Sequence, residues 1–106
     1  MTQQATDREL YTFLIHDIQA LDFTMHSKLT RINEQIRIIN KQPYIHKRID
    51  SLERFKESRK VIDKMISRIN DLLVESIKGK ATQNELSLKQ YTSRYKSLKE
   101  YYFKLE

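Results

Sequence analysis

Three histidines, His16, His26 and His46, are the side chains of this chain whose ordinary pKa lies near neutrality. None is paired with another His, Asp or Glu at i+3 or i+4 in a convincing metal-ligand cluster. His16 is followed at four residues by Ala20, and His26 by Thr30. A structural or solvent-facing role fits all three. Asp17 and Asp22 flank an apolar seam, but no carboxylate pair sits where burial would raise its pKa for acid–base work. With no cysteine there is no thiolate chemistry and no disulfide framework. One glycine, Gly79, cannot build a phosphate-cradling loop. The expectation is a protein that is not an enzyme, with no cofactor and no metal.

The charged side chains are the more informative chemistry. Lys and Arg number 20 against 14 Asp and Glu, a net charge of +6. From Lys28 to Lys56 there are eight basic residues and three acidic ones, +5. Residues 1–27 carry one basic residue against four acidic, −3, and the segments 57–80 and 81–106 carry +2 each. The densest part of the basic stretch, Arg37, Ile38, Lys41, Tyr44, Lys47 and Arg48, surrounds the only proline, Pro43. Cations mixed with an aromatic and an aliphatic residue suit docking onto an acidic surface. The competing reading is a solvated helix end whose lysines and arginines only maintain solubility.

The elements that position these residues follow from punctuation. Proline favours a helix start and glycine the position past a helix end. The chain therefore reads as helix, turn at Pro43, helix, turn at Gly79, helix. The first helix is expected over 7–40, opened by the capping-box spacing of Thr6 and Glu9. Its seam runs Leu10, Leu14, Ile18, Leu21, Met25, Leu29, Ile32, Ile36, Ile39, with eleven-residue intervals that keep it nearly straight. The second helix is expected over 43–78, with Asp50 and Glu53 offering a later cap. The third is expected over 83–105, opened by Thr82 and Glu85, with the heptad stripe Leu88, Tyr91, Tyr95, Leu98, Tyr102, Leu105. Leu14, Ile18, Met25, Ile66, Ile69, Leu73, Tyr95 and Leu98 are the expected core.

The predicted fold is all-α: an elongated antiparallel three-helix bundle or coiled coil, in one domain spanning 1–106. Short turns make successive helices antiparallel. A short third helix starting near Gly79 would leave residues 30–55 as a projecting two-helix hairpin carrying the basic cluster. A second candidate surface is Ile15 and Phe23, of which Phe23 lies nearly opposite the seam. Tyr11, Phe13 and Ile15 broaden the apolar face of the first helix, and self-association or membership of a complex is expected from it.

The function this points to is a non-catalytic protein–protein interaction module, such as an adaptor, chaperone, inhibitor or assembly subunit. Its expected partner is a protein with an acidic surface. The alternative is a small basic nucleic-acid-binding protein using the same end; against it, acids interrupt the cations and no groove-reading motif is present. No apolar run approaches the ~18 residues of a membrane span. The first residues lack a basic and then apolar leader pattern, so a cytoplasmic location is expected.

Overall fold

The computed structural model describes residues 6–41 and 45–105, with the side chains of 45–48 and 105 set aside. The fold is an all-α antiparallel bundle of three helices, α1 (Asp7–Asn40), α2 (Ile45–Thr82) and α3 (Glu85–Leu105), with no strand among the described residues. The chain divides into two compact units. The first takes Met1–Asp22 and Arg68–Glu106, so it holds the start of α1, the end of α2 and all of α3. The second is Phe23–Ser67, a hairpin of two helical segments.

α1 starts and stops where the sequence predicts. The Thr6 hydroxyl oxygen accepts the backbone N–H of Glu9 at 3.2 Å, and Asp7 and Glu9 place acid at the positive end of the helix dipole. α2 begins two residues later than expected, at Ile45, and Pro43 lies outside the described residues. Asp50 and Glu53 lie inside α2 and cap nothing.

The end of α2 corrects the reading of Gly79. The helix runs through this residue to Thr82, and Gly79 has no positive φ. Glycine is needed there for space. A Cβ on Gly79 would lie 2.8 Å from Cε1 and from the hydroxyl of Tyr11, closer than real Cβ contacts come. The left-handed residue of the turn is Gln83, at φ 53°. Thr82 is not the cap of α3 either; its hydroxyl donates back to the Gly79 carbonyl at 3.0 Å. Asn84 caps α3, its Oδ1 accepting the N–H of Ser87 at 3.2 Å.

In the first unit the buried apolar residues are Tyr11, Leu14, Ile15, Ile18 and Leu21 of α1, Ile69 and Leu72 of α2, and Leu88 of α3. The expected Leu14, Ile18 and Ile69 are among them. Leu73, Tyr95 and Leu98 are only half-buried. Of the α2 core residues expected, Ile69 is buried while Ile66 and Leu73 give way to their neighbours Met65 and Leu72; the buried line is Ile62, Met65, Ile69, Leu72, Ser76, Gly79. The steps of 3 and 4 are those of a heptad seam. In the second unit Met25, Ile32, Ile36, Ile39, Ile62 and Met65 are buried, while the expected Ile66 is half-buried.

Candidate interaction surfaces

The two units differ in charge before any contact is considered. The second unit, 23–67, holds eleven basic residues against five acidic, +6. The first holds nine of each and is neutral. The whole net charge of the chain thus belongs to the two-helix unit.

Within that unit, Arg37, Ile38 and Lys41 are all exposed at the end of α1. Arg37 is not a bare cation. Its Nε donates to Glu34 Oε2 at 3.1 Å and its second nitrogen bonds Oε1 of the same carboxylate. The hydrogen bond from Arg37 holds the Glu34 carboxyl below its ordinary pKa, and the same pairing raises the guanidinium further. Both partners are exposed, so the pair opens at little cost when a stronger partner arrives. Lys47 and Arg48 lie in the first turn of α2 by their backbone positions, and Tyr44 lies outside the described residues. That first turn contains no acid, whereas α1 opens with Asp7 and Glu9 and α3 with Glu85. Cations at a helix N-terminus oppose the dipole, so helix stability does not account for Lys47 and Arg48. Across the hairpin, Arg59 reaches Asn33 Oδ1 at 3.5 Å, and Ile49 is exposed beside the cations of α2.

The Ile15–Phe23 surface does not survive as drawn. Ile15 is buried in the core of the first unit, because it lies next to Leu14 and Ile18 on a face broad enough to meet two helices. Phe23 is 74% exposed.

The first unit carries a groove that the residue pattern did not single out. It has a volume of about 670 Å³ and runs between α1 and α3. Its floor includes Leu14 and Leu88, and Leu10 and the 57%-exposed Phe13 stand at its α1 side. Asp7 and Asp17 edge it on α1; Lys89, Lys96 and Lys99 edge it on α3, with Glu85 at the start of that helix. Tyr95 lines the wall; burial and then the nearby Asp17 carboxylate push its phenol above the ordinary value, and Lys99 Nζ sits 6.0 Å from its ring centroid. The signal was present: Leu10 and Phe13 share a face with Asp7 and Asp17, and Lys89 and Lys96 repeat at seven residues.

Behind the groove Tyr11 is fully buried and fixes the geometry. Its hydroxyl donates to the Asn84 carbonyl, tying α1 to the cap of α3. Burial first, then Tyr91 and Asp7, raise its phenol pKa.

Among the described residues no group of three or more potential metal ligands is assembled, and no helix is long and apolar enough to cross a membrane. Compared with known proteins, the chain matches no family model, no curated protein and no solved structure.

Proposed function

We propose that this chain is a non-catalytic protein-interaction module whose basic two-helix unit docks onto an acidic protein surface. The observation that carries the reading is the charge division: +6 on one unit and zero on the other. A charge excess kept only for solubility has no reason to be confined to one unit. Lys47 and Arg48 at a dipole-opposed helix start support a role outside the fold. In this reading Arg37, Lys41, Lys47 and Arg48 set the approach rate, while Ile38 and Tyr44 anchor the contact. A cytoplasmic, non-enzymatic adaptor or assembly role belongs to the same proposal.

The test is a chain with Arg37→Glu, Lys41→Glu, Lys47→Glu and Arg48→Glu, used as bait in cell lysate beside the parent, with and without nuclease. Loss of the captured protein with unchanged helicity supports the reading. Capture that disappears from the parent sample on nuclease treatment, with affinity for nucleic acid falling steeply with salt, transfers the surface to the nucleic-acid alternative. Equal capture by parent and variant removes the surface from consideration.

A further inference from the structure

We propose that the groove between α1 and α3 of the three-helix unit is the contact surface for a second copy of this chain, laid across it by a two-fold axis running along the helices. The groove is apolar along its middle and oppositely charged along its two edges. Asp17 stands on the α1 edge and Lys96 and Lys99 on the α3 edge. Among the described residues neither Asp17 nor Lys96 makes an ion pair, so both charges face the groove uncommitted.

The fold sets the register. α1 and α3 are both antiparallel to α2, hence parallel to each other, and the groove they share is lined from the first residue of each helix, Asp7 and Glu85. Asp17 lies ten residues along α1 from that start and Lys96 eleven along α3, so the two stand at about one level. A two-fold axis parallel to the helices places α1 of one copy over α3 of the other with levels preserved. Each Asp17 then faces the other copy's Lys96, and each Phe13 enters the stretch of groove floored by Leu88 and walled by Tyr95. The other two-fold that brings the grooves face to face runs across the helices and sets α1 on α1, so acid edge meets acid edge. Like charges reject that arrangement. Glu85 is the acid on the α3 edge, and Lys89, one turn on, offsets it.

The occupant is argued from complementarity. The surface that matches an acid edge, an apolar middle and a basic edge is the same surface turned over, as an isologous contact requires. The three-helix unit is also neutral, nine charges of each sign, so two such units approach without net repulsion. This inference does not depend on the proposed docking of the basic unit. If both hold, one dimer presents two basic hairpins.

The experiment is sedimentation equilibrium of the full chain. The parent should show a monomer–dimer equilibrium with a dissociation constant on the order of 10–100 µM, as a small interface gives. Phe13→Asp should weaken it by about tenfold or more with unchanged circular dichroism, since Phe13 is already exposed. Two charge-reversed chains give the decisive readout. Asp17→Lys alone should be monomeric, and so should Lys96→Asp alone, because each sets like charges together twice. Mixed, they should dimerise, since both contacts then pair opposite charges. Should either reversed chain lose helicity, Asp17→Asn and Lys96→Gln, each expected to weaken the parent dimer, take its place. A parent that is monomeric at several hundred micromolar overturns the proposal. So does a dimer indifferent to Phe13→Asp, or folded reversed chains whose mixture stays monomeric. A crosslinker placed at Phe13 that captures a different helical protein, while the parent remains monomeric, also overturns it and gives the groove to a foreign helix.

Discussion

The three-helix unit and the two-helix unit use the same helices for different ends. In the first, nine basic and nine acidic residues cancel, and a whole tyrosine is buried against a glycine that has no other reason to sit inside a helix. In the second, eleven basic residues oppose five acidic, and Leu29, Leu52, Phe55 and Val61 are only half-buried. A third helix lets a unit close its core around a specific shape. A pair of helices has only one shared seam to bury, and its remaining surface is free to carry charge. Stability should therefore be sensitive to shape in the first unit, and partner binding sensitive to charge in the second.

Tyr11→Ala should have the largest effect. Removing a fully buried aromatic costs about 3–5 kcal/mol, and here it also strips the Asn84 carbonyl of its donor. Amide exchange should accelerate more across 7–22 and 68–105 than across 49–67. An equal loss in both units would break the comparison, by making them one cooperative block.

Gly79→Ala comes next and has an inverted sign. Inside an ordinary helix this change gains about 1 kcal/mol. Here the added Cβ meets the Tyr11 ring at 2.8 Å, and overpacking costs about 1–3 kcal/mol. The variant should melt lower than the parent. In a Tyr11→Leu background, where the distal ring atoms are gone, the same change should become stabilising. Gln83→Gly is the converse: it relieves the left-handed φ of 53° and should stabilise by about 0.5–1 kcal/mol. Thermal melts of the parent, the three single variants and the Tyr11→Leu/Gly79→Ala double variant check all three signs.

These residues also show what was legible in the sequence. α1 could be bounded because its signals are local: a Thr6–Glu9 cap and a regular seam. The helical class and the charge division could be read for the same reason. The role of Gly79 could not, nor could the choice between the two adjacent apolar lines of α2. Met65, Ile66, Leu72 and Leu73 are apolar neighbours, so the pattern permits two rotations about one residue apart, and the long-range contact with Tyr11 selects between them. The small residues Ser76 and Gly79 at seam positions were the available hint that something large packs there. Of the candidate docking residues, Arg37, Ile38 and Lys41 are exposed, and Arg37 is already paired with Glu34, three residues before it on the same helix.

Alkaline pH probes Tyr11 without mutation. Its folded-state phenol pKa is raised, so this contribution to stability is fully present below the ordinary value of 10.0. Above that value the unfolded chain loses its proton first, and stability falls as pH rises towards the folded pKa. Urea midpoints measured from pH 8 to 11 should drop at the alkaline end. Tyr95, raised in the same direction, contributes to the drop, so Tyr11→Phe should reduce the slope without abolishing it. Ser76→Ala is of similar modest size. The Ser76 hydroxyl is fully buried with no hydrogen-bond partner, so its removal should stabilise by about 1 kcal/mol. No gain in melting temperature would mean that a buried water satisfies it.

The smallest effect on stability should come from Glu34→Gln, and it separates the units most cleanly. The substitution deletes the carboxylate held by Arg37 in the two-helix unit while leaving a side chain of the same shape. Because the pair is exposed, thermal stability should stay within error of the parent. Binding should move the other way. The unit rises from +6 to +7, and the Arg37 guanidinium is released toward a partner. If the basic unit docks on an acidic surface, association should quicken, and the gain should vanish at high salt, where screening removes the long-range attraction. Stopped-flow or surface-based kinetics at two ionic strengths would read this directly. An unchanged rate at low salt would mean that Arg37 and Glu34 act only on each other, leaving Lys41, Lys47 and Arg48 as the charges through which the surface works.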